Sequence, residues 1–529
     1  MNIKNFSQLE EALKLNRGDV QKFGVLFLFV ALIIIMVVWQ GSSITHPIIL
    51  GFAAIVGGYM ALNIGANDVA NNVGPAVGSK ALTMTGAIII AAVCEISGAL
   101  IAGGEVVDTV RSGIISMDAV PDTQTFITLM LAALISGAVW LNFATVVGAP
   151  VSTTHSVVGG ILGAGIAACG FGVAHWEKLG GIVASWVISP VVGGIIAAVL
   201  LFFIKWTITY QENKKGSAEQ VVPYLIAFMT WAFSLYLINK GLNKIVSLEP
   251  AVAFGISAVL ALVVFFLVRP IIKKVLKKLE NKKEEMNKLF TLPLIFAAAL
   301  LSFAHGANDV ANAIGPLAAI SDALKVGFTL AQEGTPIPFW IMLLGGLGIS
   351  VGLALFGPRL IRTVGSEITD LDQIRAFCIA MSAALTVLIA SELGMPVSST
   401  HIAVGAVFGV GFLREHLKKQ YKEMELKILE AHKGEDNGKL KAFLDEFRNA
   451  PVRKKSAMLK SLKKKTKESG DAYGFKKKEK KGLKKIYQED LVKRSAINKI
   501  VAAWLITVPV SAILGGACYY ALVFVGFGL

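Results

Sequence analysis

The strongest constraint on the fold is a series of apolar runs, each long enough to cross the hydrocarbon core of a bilayer. A helix needs about 20 residues for that crossing, and such runs recur along the whole chain. The 529 residues are 54% hydrophobic and 16% charged, whereas soluble domains are about 25% charged. The sequence therefore predicts an all-α integral membrane protein with spans at 23–39, 46–64, 82–104, 126–148, 151–170, 181–204, 222–238, 251–269, 291–320 (interrupted), 336–357, 375–392, 394–413 and 499–528.

The first apolar run is interpreted as a retained N-terminal helix. It follows a long polar segment, and no small-residue cleavage site clearly follows it, so it does not resemble a cleaved secretory signal. The cysteines lie singly in apolar segments, and their spacing predicts neither a disulfide framework nor a metal site. No cofactor is expected. The four cysteines are Cys94, Cys169, Cys378 and Cys518.

Most of the positive charge lies in one loop. Residues 414–499 hold 27 Lys+Arg against 13 Asp+Glu, nearly the whole formal excess of +15. Basic loops stay cytoplasmic and attract anionic membrane lipid, whereas nucleic-acid binding would require more aromatic residues for stacking. Counting spans places every basic stretch on one side. The prediction is a multi-pass protein of the plasma (inner) membrane, with the N-terminus and the 414–498 loop cytoplasmic and the C-terminus outside.

An internal repeat is the most informative motif. Residues 65–75 read GANDVANNVGP and residues 306–316 read GANDVANAIGP. A second pair follows, PVSTTH at 150–155 and PVSSTH at 396–401, so the order and spacing of the two motifs are nearly preserved.

The span count gives the two copies opposite orientations in the membrane. Inverted repeats around a site at the midplane are a recurring plan of secondary transporters. About twelve core spans in two inverted repeats with broken helices, plus the extra N-terminal helix, are therefore predicted. The expected units are the N-terminal tail and helix (1–45), repeat 1 (46–210), connecting spans with a basic linker (211–290), repeat 2 (291–413), the basic loop (414–498) and the last span of repeat 2 (499–529).

The first motif places a carboxylate inside each copy's apolar segment. An ionised carboxylate at membrane depth costs at least about 2.5–3.5 kcal/mol, so Asp68 and Asp309 are expected to hold a cation, Na⁺ or a proton. The glycines and prolines of the motif weaken the helix and expose backbone groups that line a site. Glu95 lies in a span without a basic residue and is interpreted as a further functional carboxylate. Amide groups beside the carboxylates come from Asn67, Asn71, Asn308 and Asn312.

The second motif favours an oxyanion. Proline is well placed at a helix start, and hydroxyls beside unpaired backbone N–H groups form an anion cradle without a fixed positive charge. Two such cradles facing each other would surround one tetrahedral anion, phosphate or sulfate. The hydroxyl residues are Ser152, Thr153, Thr154, Ser398, Ser399 and Thr400.

Other functions were weighed against transport. An intramembrane hydrolase would use the Ser and His of the second motif as nucleophile and base, but no third, orienting residue is evident. His155 and His401 are therefore interpreted as structural donors. An anion channel and a sulfate carrier of the same architecture stay open alternatives.

The duplicated GANDVAN and PVS(S/T)TH motifs resemble the signatures of the inorganic phosphate transporter (PiT) family, cation-coupled phosphate symporters. The resemblance covers both repeats. It implies twelve core spans in two inverted repeats, a homodimer, and inorganic phosphate carried by alternating access. The family's phosphate and cation ligands fall on Asn67, Asp68, Asn308, Asp309, Ser152, Thr153, Thr154, Ser398, Ser399 and Thr400, and Glu95 matches a family glutamate near the ion site.

One position departs from the animal sodium-dependent members. There a glutamate follows Phe-Cys-Ile, whereas here Ala380 follows Phe377-Cys378-Ile379. Because the family includes sodium-coupled and proton-coupled carriers, the resemblance leaves the coupling cation open.

Overall fold

The structure, a computed structural model, describes residues 3–40, 46–147, 151–326, 336–367, 371–431 and 494–527. Most of the predicted basic loop, residues 432–493, and Pro150 of the first PVSTTH motif lie outside the described residues.

The regular elements of the described residues are helices, as the apolar periodicity predicts. They are α1 (Ile3–Trp39), α2 (Pro47–Asn67), α3 (Val69–Gly78), α4 (Met84–Ala102), α5 (Gly104–Ser112), α6 (Thr123–Val147), α7 (Thr153–Cys169), α8 (Trp176–Ile204), α9 (Lys214–Lys240), α10 (Pro250–Lys277), α11 (Lys283–Leu289), α12 (Thr291–Val326), α13 (Phe339–Glu367), α14 (Gln373–Glu392), α15 (Ser399–Ala431) and α16 (Arg494–Phe524). Short 3₁₀ turns lie at Met117–Ala119, Phe171–Val173 and Leu242–Lys244, and a π-helical turn, Lys205–Thr209, follows α8.

Eleven spans among the described residues are long and apolar enough to cross a membrane. Two further predicted spans form helices outside that set: 151–170 corresponds to the shorter apolar α7, and 394–413 to the start of α15. The all-α membrane architecture is thereby confirmed, and the domain boundaries stay predictions. The eleven spans are Val20–Trp39, Pro47–Gly78, Met84–Ala102, Thr123–Val147, Trp176–Thr209, Lys214–Lys240, Pro250–Lys277, Thr291–Lys325, Phe339–Arg362, Gln373–Glu392 and Leu505–Phe524.

The helices carrying the first motif differ from the prediction. The span predicted at 46–64 continues through the motif to Gly78, with only a tight turn at Asp68, where the Asn71 N–H bonds the Asp68 carbonyl at 3.0 Å. The interruption predicted within 291–320 is absent, because α12 runs unbroken through Asp309 and Pro316. A proline removes one N–H, yet Pro316 lies within α12 without ending the helix.

Glycines bring the motif helices into backbone contact with neighbouring helices. A Cβ at Gly65 would lie 1.8 Å from the Ile349 carbonyl oxygen on α13, and one at Gly306 would lie 2.3 Å from the Glu95 carbonyl oxygen on α4. Small residues permit such close approach of helices within membranes. The two motif copies therefore dock in the same manner, the first on α13 and the second on α4.

The N-terminal helix packs on this core along one stripe. Phe29, Ile33 and Val37, spaced four apart, are buried, and Phe29 and Ile33 lie against Gly58 of α2. Apolar residues on the other faces of the helix, such as Phe27 and Ile35, are exposed. This distribution is typical of a helix with one protein-facing stripe and an apolar remainder.

Candidate functional site

The predicted site residues lie together in the interior of the helix bundle. Each is buried, and hydrogen bonds link residues of the two motifs and of the two copies. The buried set is Asn67, Asp68, Asn71, Glu95, Ser152, Thr153, Thr154, Asn308, Asp309, Asn312, Ser398, Ser399 and Thr400.

The Asp68 carboxylate accepts hydrogen bonds from hydroxyls of both copies. Thr153 Oγ1, in its own copy, lies 2.5 Å from Oδ2, and Thr400 Oγ1, in the other copy, lies 3.1 Å from Oδ1. Because charge-assisted hydrogen bonds are the stronger class, these contacts hold the carboxylate between the two helix starts.

The Asp309 carboxylate has different partners. Its Oδ2 accepts from Ser399 Oγ at 2.9 Å and lies 2.9 Å from His305 Nε2, an ion-pair distance. Its Oδ1 is buried and has no hydrogen-bond partner among the described residues. A buried acceptor without a donor is costly, so this oxygen is suited to a cation.

The two carboxylates share one site. One carboxylate oxygen from Asp68, one from Asp309 and one ring nitrogen of His305 lie within 4.8 Å of one another. The cluster is fully buried, which makes the mutual repulsion of two ionised carboxylates severe unless a positive charge joins them.

Amide side chains of the first motif make reciprocal contacts between the copies. Asn71 Nδ2 donates to Thr400 Oγ1 at 3.0 Å, and Asn312 Nδ2 donates to Thr154 Oγ1 at 3.1 Å. The Asn312 Oδ1 is buried without a hydrogen-bond partner among the described residues. Asn312 and Asp309, three residues apart, lie on one face of α12, so two unsatisfied oxygens occur together.

Asn67 and Asn308 bind the chain that leads into each second motif. Asn67 Nδ2 donates to Thr145 Oγ1 at 3.0 Å, and Asn308 Nδ2 donates to Ser391 Oγ at 3.1 Å. Asn308 also bonds the Met395 carbonyl and the Val397 N–H. Sequence reasoning missed Thr145 and Ser391, although each precedes the first serine of its motif by seven residues.

The second motif forms the helix starts that face these carboxylates. Ser152 caps α7 and Ser398 caps α15, each accepting the N–H of the histidine three residues on at 3.2 Å. The first turn of a helix has N–H groups without intrahelical partners and the positive end of the helix dipole. Two such ends, rich in hydroxyls, converge on one site and suit an anion.

The motif histidines pack against each other beneath the helix starts. The ring centroids of His155 and His401 are 4.5 Å apart, and Trp186 lies 3.9 Å from His155. The Trp186 indole N–H donates to the Pro396 carbonyl at 3.1 Å. The serine of each motif accepts from a backbone N–H as a helix cap, which is not the arrangement of a nucleophile and its base.

A buried polar chain that sequence reasoning missed joins the site at Asp309. His305 Nδ1 lies 2.8 Å from Glu95 Oε2, and Asn72 Nδ2 donates to Glu95 Oε1 at 3.0 Å. Glu95 therefore contacts the site through His305. A histidine one residue before the motif was the available signal, but its partner on α4 follows only from packing.

A second missed group braces the segment before α15. Lys240 Nζ, at the end of α9, lies 2.6 Å from Glu105 Oε2 and 3.5 Å from Glu392 Oε2. Thr109 Oγ1 of α5 donates to the Gly394 carbonyl at 2.7 Å. These contacts connect α5 and α9 to the turn that leads into the PVSSTH motif.

Known proteins resemble this chain over most of its length. Residues 64–515 match the model of the "Phosphate transporter family". A Helicobacter pylori protein named "Putative phosphate permease" is 54% identical over 534 residues, 99% of each chain. A Pyrococcus furiosus protein of that name is 42% identical over 375 residues, 70% of this chain and 89% of the relative. A solved structure titled "The sodium-dependent phosphate transporter" superposes with a TM-score of 0.72 at 32% identity, covering 90% of this chain and 99% of that one.

Proposed function

The chain belongs to the phosphate transporter family, and from that premise we propose that it carries inorganic phosphate across the cell membrane together with a cation, Na⁺ or H⁺, by alternating access. The observation that carries the proposal is the meeting of two buried carboxylates with two hydroxyl-rich helix starts.

Phosphate is held by the helix starts of α7 and α15. Their free N–H groups and hydroxyls donate to phosphate oxygens, and the amides of Asn67 and Asn308 lie beside them. Among the described residues, no lysine or arginine contacts Asp68 or Asp309. The phosphate-binding set is Asn67, Asn308, Ser152, Thr153, Thr154, Ser398, Ser399 and Thr400.

The cation makes phosphate binding possible. An anion about 4 Å from a carboxylate is repelled by about 4 kcal/mol at an effective dielectric constant of 20. A cation between Asp68 and Asp309 removes this repulsion, so the cation is expected to bind before phosphate. Carboxylate and amide oxygens, including the unsatisfied oxygens of Asp309 and Asn312, are ligands that suit Na⁺. The cation set is Asp68, Asp309, Asn71, Asn312 and Glu95, with Glu95 acting through His305 rather than by direct contact.

In the proposed mechanism, two inverted repeats expose the shared site to each side of the membrane in turn. The reciprocal hydrogen bonds of Asn71 and Asn312, each to the hydroxyl helix start of the other copy, support a two-fold relation between the copies. Movement of one repeat against the other then opens the shared site to one side at a time. The proposed placement is the inner membrane, with the N-terminus and the 414–498 loop cytoplasmic, the C-terminus outside, and the chain paired as a homodimer.

Uptake of labelled phosphate into proteoliposomes tests the proposal. Sodium and proton gradients are imposed separately, and unlabelled sulfate is added as a competitor. Accumulation driven by one gradient and unaffected by sulfate is expected. Equal competition by sulfate would favour the general oxyanion carrier, and flux without coupling to either gradient would favour a channel.

A further inference from the structure

The two carboxylates of the site have different hydrogen-bond partners, although the two copies of the motif are packed alike. The copies dock alike: Gly65 meets Ile349 of α13 where Gly306 meets Glu95 of α4. Ile349 is therefore the structural counterpart of Glu95.

A second pair of contacts confirms this register. A Cβ at Gly98 would lie 2.0 Å from the Phe303 carbonyl oxygen, and one at Gly352 would lie 2.0 Å from the Leu62 carbonyl oxygen. Gly98 and Gly352 lie three residues after Glu95 and Ile349, and Phe303 and Leu62 lie three residues before the first motif glycine. The two helix pairs therefore match residue by residue.

Every member of the buried polar chain lacks a polar counterpart. His305 corresponds to Ile64 and Asn72 to Ala313, from their positions relative to the motif, and Glu95 corresponds to Ile349. The three apolar counterparts are fully buried, and they are Ile64, Ala313 and Ile349. The contact between the two repeats beside Asp309 therefore has a polar chain where the corresponding contact beside Asp68 has an apolar core.

We infer that Asn72, Glu95 and His305 form a positioning chain that fixes the Asp309 carboxylate and makes the two carboxylate sites unequal. The His305 ring lies between two carboxyl groups, 2.8 Å from Glu95 and 2.9 Å from Asp309. Asn72 holds the second oxygen of Glu95, so the ring has one orientation. Asp68, with Ile64 in the corresponding place, is held by the hydroxyls of Thr153 and Thr400 instead.

The chain acts on cation binding through Asp309. Groups that orient a ligand contribute about 10- to 100-fold to metal affinity. Loss of the chain leaves Asp309 with Ser399 as its one remaining hydrogen-bond donor among the described residues. The inference rests on the proposed cation site, and it assigns Glu95 a role as a positioning residue.

The test replaces each residue of the chain with the apolar residue at its counterpart position. The triple variant Asn72→Ala, Glu95→Ile, His305→Ile introduces side chains that the counterpart positions already accommodate. The expected result in proteoliposomes is a half-saturating concentration of the coupling cation raised about 10-fold or more, with the phosphate KM at saturating cation changed less than the cation dependence. Glu177→Gln removes an exposed carboxylate in the first turn of α8 and is the matched control. A cation dependence equal to that of the wild type would overturn the inference.

A pair of single variants separates positioning from charge. The amide of Glu95→Gln can still accept a hydrogen bond from Asn72 and donate one to His305 Nδ1. Its half-saturating cation concentration is therefore expected to lie nearer the wild-type value than that of Glu95→Ile. Equal impairment of both would overturn the inference, because the charge of Glu95 would then be what matters. This pair decides the question if the triple variant is not recovered as folded protein.

Failure of the proposed function is distinguishable from failure of the inference. The shift of the unfolding temperature with NaCl at constant ionic strength, and with pH, reports cation binding by the purified variants without transport. Wild-type protein that takes up no phosphate would overturn the proposed function. The difference between Glu95→Gln and Glu95→Ile in stabilisation by the cation would still test the positioning chain. Equal stabilisation of the two variants by the cation would overturn the inference.

Discussion

At the residue scale, the site consists of acceptors and donors whose charges do not balance. Asp68 and Asp309 lie fully buried in one cluster with His305. Asp68 accepts hydrogen bonds from two hydroxyls, whereas Asp309 accepts one from a hydroxyl and lies 2.9 Å from a ring nitrogen of His305. Hydroxyls compensate the desolvation of a carboxylate only in part. In the proposed function, a bound cation supplies the further positive charge that lets the site accept an anion.

Removal of either carboxylate is expected to abolish cation-driven phosphate uptake. Asp68→Asn and Asp309→Asn preserve size and remove the charge that holds the cation. Uptake of labelled phosphate by proteoliposomes measures the loss, and chromatographic behaviour in detergent verifies the fold. Asp118→Asn, on an exposed turn, is the control that keeps wild-type uptake. Normal uptake by both site variants would contradict the proposed function.

The Thr153 hydroxyl is expected to contribute through its hydrogen bond to Asp68. Thr153→Val keeps the shape and removes the donor, and a hydrogen bond to a charged group is worth about 1.5–3 kcal/mol. The expected loss in kcat/KM for phosphate uptake is therefore about 10- to 100-fold. Thr153→Ser restores the hydroxyl and should recover most of the activity. An active valine variant would show that the backbone N–H groups suffice.

At the element scale, the motif helices depend on close backbone contact. The glycines of the motif were interpreted as helix breakers, but Gly65 and Gly306 lie within helices and remove side chains at the contacts with α13 and α4. The N–H groups proposed to bind the anion are therefore those at the serine-capped starts of α7 and α15 and not those of a broken motif helix.

Gly65→Ala is expected to destabilise the protein by about 1–3 kcal/mol or more, the cost of overpacking. The added Cβ would lie 1.8 Å from a backbone carbonyl of α13, which a side-chain rotation does not relieve. A lower unfolding temperature in detergent measures the effect. Gly255→Ala, on α10 with no atom within 4 Å of the added Cβ, should leave that temperature unchanged or raise it slightly, because alanine favours a helix more than glycine does. Equal temperatures for both variants would contradict the packing.

At the scale of the whole molecule, the site joins the two copies across several hundred residues of sequence. Asp68 binds Thr400, and Asn312 binds Thr154. Because the carboxylate of Asp68 and the amides of Asn71 and Asn312 are hydrogen-bonded to hydroxyls of the other half, any movement of one half against the other changes these contacts. In the proposed mechanism, such movement links ligand binding to exposure of the site.

Cation and phosphate are expected to stabilise the whole protein cooperatively. Linkage requires each ligand to raise the affinity for the other by the same factor, and a ligand that binds the folded state raises its stability. Phosphate should raise the unfolding temperature more in the presence of the coupling cation than in its absence. Asp309→Asn should lose this difference. Equal phosphate stabilisation with and without the cation would contradict the coupling between cation and phosphate binding.

Much of the architecture was predictable because each membrane span requires a particular local composition. A span needs an uninterrupted apolar run, so the apolar runs of the sequence predicted the helical membrane class. The duplicated motifs indicated the family, which the comparisons confirm. The site residues were also predicted, because carboxylates, amides and hydroxyls in apolar segments are rare without a function. Their roles as ligands stay predictions.

Tertiary packing decided what local patterns do not contain. The pairing of Glu95 with His305, of Asn67 with Thr145, and of Lys240 with Glu105 depends on which helices are neighbours. Helix continuity through Asp309 and Pro316 was also not predictable from the local sequence, in which glycine and proline weaken a helix. The sequence by itself thus determined the helical membrane class and the chemical groups of the site, since both depend on residue type and spacing. The three-dimensional structure alone decided their partners and the inequality of the two carboxylates, because those follow from contacts between distant segments.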